Sequence, residues 1–302
     1  MNSFTIHIFL VSLLLVCFCQ SFFVKPLNNN PEIKTMQSVS LEERHFIFGY
    51  GSLICHRSRA ITAPSLASRP AEPVVIEHLI RTWTARVPFG KKKRKRTIHG
   101  QTAMGIERAN DKKCCGVLIE VDEVELESFD LREAGYDRVQ IDLLHIWGLN
   151  EEKYNDAHVV LEQACKKRGS SPLNNESIDE VKVWVYLPQT CTLASKNFPI
   201  CQSYVDIILR GCLDYGIEFV NMFLETTHGW WHVKTRDAIG NHFIWVDDRR
   251  KPFYSRADID WSTEKSTVID KFLEDQYPNA FKQRRHLDKI LGAIEKDEDE
   301  FD

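Results

Sequence analysis

The sequence predicts an α+β fold on three observations. Segments with strand patterning come first in the chain, and helix-length runs gather towards its end, rather than alternating as a parallel α/β fold requires. Val139, Ile141 and Leu143 recur at every second position, as do Val181, Val183 and Val185, the period of half-buried strands. A Gly-rich turn directly after an early apolar run marks a strand end rather than a helix start.

In chain order, His45-Phe46-Ile47-Phe48 delivers Gly49, Tyr50, Gly51, Ser52 and Leu53 into one tight turn. A strand ending this way presents backbone N–H groups to a small anion, with positive φ the expected reason for glycine at position 51. Strands are expected at 74–87, 102–107 and 115–121. Asp122 and Glu125 then have capping-box spacing, opening a short helix that Gly135 is expected to close as its C-cap. Leu126, Phe129 and Glu133 recur at i, i+3 and i+7, which puts Glu133 on the apolar face. The competing reading is a solvated glutamate, the ordinary fate of helix carboxylates and the one expected for Glu125, Glu127 and Arg132. Strands follow at 138–147 and 181–187, helix-length runs at 150–168, 202–227, 262–275 and 279–296, and a Ser/Asn-rich loop at 170–180.

Composition narrows the function classes. The 302 residues, less a processed N-terminus, leave about 275, enough for one domain that buries roughly 70–75% of its unfolded surface. A formal net charge of −4 argues against a nucleic-acid partner. The basic run 91–96 has no interleaved aromatics and reads as a solvated loop between strands; the acidic tail 295–302 reads as disordered. Residues 9–19 form an uncharged apolar core too short to span a bilayer, a signal-peptide pattern without its positive n-region and no stable membrane anchor. With Ser21-Phe22-Phe23 behind it, this core resembles the bipartite presequences of algae with secondary plastids. Two of the nine cysteines lie in it, leaving seven, an odd number without framework spacing. A reducing destination, a plastid rather than the cell exterior, is therefore expected after entry to the secretory pathway. The expected layout is a signal peptide or plastid presequence at 1–24, a transit segment at 25–44, one domain at 45–255 and a helical extension with the acidic tail at 256–302.

Familiar chemistries are tested by spelling. A dinucleotide turn needs glycine where Ile54 stands, a phosphate loop needs Gly-Lys-Ser or Gly-Lys-Thr, and a nucleophile elbow needs glycines at the positions of Tyr50 and Ile54. His228 and His232 are four apart, but glycine lies between them and glutamate does not, so a packed aromatic turn outweighs zinc. Cys114 and Cys115 are adjacent and form no Cys-x-x-Cys pair. Hydrolysis through Cys55, with His56 or His78 as base, has no supporting spacing, and a buried structural thiol is the usual outcome.

Phe48-Gly49-Tyr50-Gly51-Ser52-Leu53 followed by Arg132-Glu133-Ala134-Gly135-Tyr136 resembles the gamma-glutamylcyclotransferase-like family, including its ChaC branch. Gln202 to Asp206 and Arg210 to Leu213 are similar to the helix after the core in plant and algal-type members. The resemblance spans about residues 44 to 255. Ala134 stands where the ChaC branch usually has a further glycine, and 256–302 extends past the core. The resemblance implies a small, mixed, partly closed β-barrel with packed helices. It implies conversion of glutathione or other γ-glutamyl peptides or amines to 5-oxoproline plus the released amine, with no cofactor and no metal. Glu133 would be the general base and acid; Tyr50, Gly51, Ser52 and Leu53 would bind the small-molecule substrate, with Tyr136 and Arg138 as lesser candidates. A non-catalytic binding module on the same fold is the alternative; an open cavity between Glu133 and the glycine turn would favour the enzyme.

Overall fold

Strand β1 (Arg44–Gly49) is the apolar run that the sequence marks, and Phe46, Ile47 and Phe48 are buried because the strand lies inside a sheet. It runs antiparallel to β3 (Gly100–Val121) on one side and parallel to β6 (Val181–Pro188) on the other. The computed structural model describes residues 43–67, 69–89, 98–149, 157–173, 180–230 and 245–287. The N-terminal segment through residue 42, the basic run, His232 and the acidic tail lie outside the described residues.

The fold is α+β, built on a branched mixed sheet. Strand β2 (Glu72–Pro88) lies antiparallel along β3, and β4 (Tyr136–Ile141) lies antiparallel to β6. The two strands expected at 102–107 and 115–121 are one continuous element. Their polar connection is extruded where the register jumps from Leu79↔Arg108 to Glu77↔Lys113, with Asp111 at φ 59°. The strand expected at 138–147 is instead broken. Asp142 accepts a hydrogen bond from the Leu144 N–H at 3.0 Å, forming a 3-10 turn, and the chain resumes as β5 (Ile146–Gly148) on the edge of β2. After β6 the Thr192 N–H donates to the Thr84 carbonyl at 2.8 Å and Cys191 bridges to Ala85. The path β6–β1–β3–β2 thus returns to the chain leaving β6, which partly closes the sheet. Short strands β7 (Ile200–Cys201), β9 (Trp245–Asp247) and β10 (Arg285–His286) extend it beyond β3, and β8 (Thr227–His228) joins β2.

The helices are α1 (His56–Ala60), α2 (Glu123–Arg132), α3 (Ala157–Arg168), α4 (Gln202–Leu213), α5 (Ile217–Glu225), α6 (Ile259–Gln276) and α7 (Pro278–Lys282). The run expected as one helix over 202–227 is split at Gly216, whose φ of 99° suits glycine and ends the α4 direction. In the run expected as a helix over 279–296, α7 ends at Lys282 and β10 follows it, and the part beyond residue 287 lies outside the described residues. In α2 the capping box is present: Glu125 N–H to Asp122 at 2.8 Å, Asp122 N–H to Glu125 at 2.9 Å. Its end differs from expectation, with Glu133 as the C-cap at φ −99°, ψ 31° and Gly135 two residues farther on in a turn. Glu125 is buried rather than solvated, because Arg168 donates to it at 2.8 Å and Ser65 hydrogen-bonds to it.

One polar residue sits at the junction of these elements. Arg81 of β2 is fully buried, and its guanidinium donates to the carbonyls of Tyr50, Cys115 and Phe223 and to the hydroxyls of Thr226 and Thr227. Lysine offers three donors in place of the five in a planar fork. Arg81→Lys should therefore leave buried oxygens unmet, at about 1–3 kcal/mol each, and lower stability in urea unfolding by several kcal/mol. Arg57→Lys, on a side chain 61% exposed, should change it by no more than about 0.5 kcal/mol.

Candidate active site

The turn after β1 is glycine-rich for reasons of space. Gly51 has φ −131°, not the positive value expected from the sequence. A Cβ there would lie 3.1 Å from the Tyr204 hydroxyl and 3.3 Å from Met104 Cβ, and one on Gly49 would lie 2.8 Å from Leu53 Cβ. Glycine lets β3 and α4 close on the turn. Ser52–Ile54 is a 3-10 turn whose first closing bond runs from the Ile54 N–H to the Gly51 carbonyl at 2.9 Å; the N–H groups before it find no partner within the turn. Buried Arg59 donates to the carbonyls of Leu53 and Ile54, both at 2.9 Å, and fixes the far side of the turn. Tyr50 is buried and donates its hydroxyl to the Tyr186 carbonyl at 2.6 Å.

Glu133 reaches this turn from the end of α2. The helical stripe ends one residue before it, and its inward direction is completed by the C-cap backbone and by Arg132. The Nε of Arg132 contacts Glu133 Oε1 at 2.9 Å, and its terminal nitrogens donate to Ser52 Oγ at 3.0 Å, the Ser58 carbonyl and hydroxyl, and Thr62 Oγ1. The Arg132 side chain is only 4% exposed, against the solvated position expected for it. One guanidinium thus ties the glutamate to the serine of the glycine turn. Burial pushes the Glu133 carboxyl above its ordinary value, with Arg132 and Arg256 pulling the other way. Burial likewise holds the phenols of Tyr50, Tyr136 and Tyr204 above theirs, so they are neutral donors near pH 7.

Tyr50, Gly51, Ser52, Leu53 and Glu133 line one small cavity of about 30 Å³ together with Met104, Tyr136, Tyr186 and Tyr204. Ser52, Glu133, Tyr136 and Tyr204 also line an adjoining cleft of about 270 Å³. The structure therefore brings the two motifs to one open space. The cleft has walls that the sequence reading missed: Arg86 and Pro88 from the end of β2, Gln101 and Ala103 from β3, and Tyr254 and Arg256 from the segment before α6. Tyr254 packs edge-on to Tyr204 with ring centroids 4.9 Å apart.

The lesser candidates divide. Tyr136 lines the cleft, its hydroxyl 3.4 Å from the Met104 carbonyl. Arg138 is a surface charge, paired with Asp130 at 2.8 Å and lying over the Trp184 ring. Cys55 is completely buried and lines neither space, while His56 pairs with Asp214 at 2.9 Å, so no thiol–histidine pair forms there. Trp230, within the His228 motif, packs between Trp83 and Tyr277, as an aromatic turn should. Away from the cleft, the donor atoms of Glu77, His78 and His145 lie within 4.8 Å of one another. A β2 bulge with His78 at φ 60° turns these neighbours together, and the two rings meet edge-on at 4.6 Å. The seven cysteines among the described residues are all free thiols.

No protein-family model matches the chain, and no curated protein matches it. Among solved structures it is similar to a gamma-glutamyl cyclotransferase at 15% identity and TM-score 0.38, over 60% of this chain and 86% of that one. It is similar to an uncharacterized protein from Homo sapiens at 17% identity and TM-score 0.38, over 60% and 87%. A third is a gamma-glutamyl cyclotransferase specific to glutathione from yeast, at 12% identity and TM-score 0.35, over 62% and 98%.

The raised Glu133 pKa gives a signed prediction. Ionising this carboxyl opposes folding; the cost is absent below the unfolded pKa near 4.5, grows as pH rises through the folded pKa, and is constant above it. Glu133→Gln removes the cost. Urea unfolding should show the variant gaining on the parent as pH rises from about 4 and levelling off above the folded pKa; a gap that moves the other way would mean that the Arg132 pairing outweighs burial.

Proposed function

We propose that this protein is a gamma-glutamylcyclotransferase, acting on glutathione or other γ-glutamyl compounds. The observation that carries the reading is the shared cavity: Glu133, raised in pKa, lines the same space as the Tyr50-to-Leu53 turn. The substrate's α-amine attacks its own γ-carbonyl carbon, a C–N bond closes the five-membered lactam, and the bond to the leaving amine breaks. Glu133 takes the proton released from the attacking nitrogen and returns it to the leaving nitrogen. A carboxyl moved up from its ordinary range holds that proton more readily than a solvated one does, while the Arg132 contact keeps the ionised form accessible.

The other groups hold the γ-glutamyl arm bent. Both reacting atoms belong to one molecule, so a folded near-attack geometry supplies much of the rate. The N–H groups at the start of the Ser52–Ile54 turn suit an α-carboxylate or a developing oxyanion, and the Ser52 hydroxyl, which accepts from Arg132 and hydrogen-bonds with Tyr204, fixes the turn beside them. Tyr50, fixed through Tyr186, forms one wall. Single steps of general acid–base catalysis supply about 10²- to 10⁴-fold.

Incubation with glutathione and with a γ-glutamyl amino acid should release 5-oxoproline. Glu133→Gln should lower kcat by at least about 10²- to 10⁴-fold with KM little changed, whereas Glu127→Gln, on the exposed side of α2, should be silent. A near-parental rate in Glu133→Gln rules out this mechanism. Gly51→Val should abolish substrate binding by driving its side chain into Tyr204 and Met104, and Ser52→Ala should weaken binding by about 10- to 100-fold. Equally small effects of both changes would reduce the turn to a strand end.

A further inference from the structure

Arg256 enters the cleft from outside the stretch that carries the sequence motifs, and it is held there from both sides. Before it, Asp248 accepts from the Ser203 N–H and hydroxyl at 2.8 and 2.7 Å and from the Phe253 N–H at 2.7 Å. After it, Asp258 caps α6 through the Trp261 N–H at 3.0 Å and pairs with Arg210 at 2.6 Å and Arg57 at 2.9 Å. Both carboxylates anchor the segment to elements that are themselves fixed, since Ser203 and Arg210 belong to α4 and are buried. Between the anchors, Tyr254 rests on Tyr204 and Arg256 lines the cleft with Glu133.

The charges of that cleft do not balance. Arg86, Arg132 and Arg256 line it with a single carboxylate, Glu133, and Arg132 already contacts that group through its Nε. The Nε of Arg256 is buried and has no hydrogen-bond partner among the described residues. A buried donor left unmet is costly, and a guanidinium is matched in shape by the two oxygens of a carboxylate. The cleft is therefore suited to a ligand that brings in an additional negative charge.

Resting on the γ-glutamyl reading above, we propose that Arg256 is a specificity-determining residue that pairs with a carboxylate on the leaving side of the substrate. The protein then selects γ-glutamyl amino acids and peptides with a free C-terminal carboxylate over γ-glutamyl amines and amides. The α-carboxylate at the other end falls to the glycine turn, so each end of a doubly anionic substrate has its own grip. A leaving-side contact is present before and during bond breaking alike, so its loss shows in KM rather than in kcat.

The test compares γ-glutamylalanine with γ-glutamylalaninamide, which differ only in that carboxylate. The parent should prefer the acid. Arg256→Met should raise KM for the acid by about 10- to 100-fold and leave KM for the amide unchanged, while any change in kcat through the lost pull on Glu133 should be shared by the two compounds; Arg256→Lys should recover part of the KM loss. Equal effects of Arg256→Met on KM for acid and amide would place Arg256 on the γ-glutamyl half and overturn the proposal. Calorimetric binding of the same two compounds to Glu133→Gln separates this from turnover. Acid-selective binding that disappears in Glu133→Gln/Arg256→Met supports the carboxylate site even if no 5-oxoproline is formed, an outcome that would defeat only the catalytic reading. Equal binding of acid and amide to Glu133→Gln overturns the carboxylate site.

Discussion

Arg81 carries a permanent positive charge to a point with no solvent, and its five N–H groups are met by three carbonyls and two hydroxyls. Taking such an ion out of water costs several kcal/mol, so the arrangement is stable only while every acceptor stays in place. Those acceptors come from the glycine turn, β3, and the end of α5 with the residue that opens β8. The carbonyls at a helix C-terminus lack intrahelical partners and carry partial negative charge, which makes the end of α5 a natural seat for a cation. The Phe223 ring lies 3.7 Å below the guanidinium and adds a second favourable surface. The carbonyl of Tyr50 is therefore oriented by the same ion that holds β2, β3 and α5 together.

A second arginine makes one site from two distant motifs. Arg132 is hydrogen-bonded to the serine of the turn and to the carboxylate of its own neighbour, and Ser58 and Thr62 of the α1 region fill its remaining valences. The carboxyl is subject to opposing forces as a result: exclusion of water favours the acid, and the adjacent guanidinium favours the anion. A group balanced in this way changes protonation state at smaller cost than one at either extreme, which is what a proton shuttle needs.

Much of this was legible in the sequence where local rules decide structure. The apolar run of β1, the capping box of α2 and the alternation in β6 each specify an element through neighbouring residues alone. Legibility failed where distant partners decide. The helical count put Glu133 on the right side of α2 for an incomplete reason, since the helix stops one residue before it and Arg132 completes the orientation. Glu125 and Arg132 read as solvent-facing because nothing local announces Arg168, Ser52 or Ser58 as partners. Gly51 read as a positive-φ position, whereas the constraint on it is the approach of Tyr204 and Met104. The break at Asp142 had a signal, a short polar side chain able to cap a turn, but alternation in Val139, Ile141 and Leu143 masked it. Arg256 carried no signal, because its meaning depends on the segment being folded back over α4.

That fold-back fixes when the cleft can exist. Glu133 and the glycine turn are synthesised early, but the wall formed by Tyr254 and Arg256 lies about 120 residues beyond Glu133. At about 5–20 residues per second, the ribosome needs roughly 6–25 s to travel that distance. Contacts of such sequence separation also form late, because the intervening chain must be ordered before they are gained. The Glu133 carboxyl therefore spends its first seconds in a half-built pocket, beside the glycine turn but without the Tyr254 and Arg256 wall. Completion of the cleft and completion of the chain are thus linked in time, and a truncated or stalled chain would retain the motifs of the site without its shape.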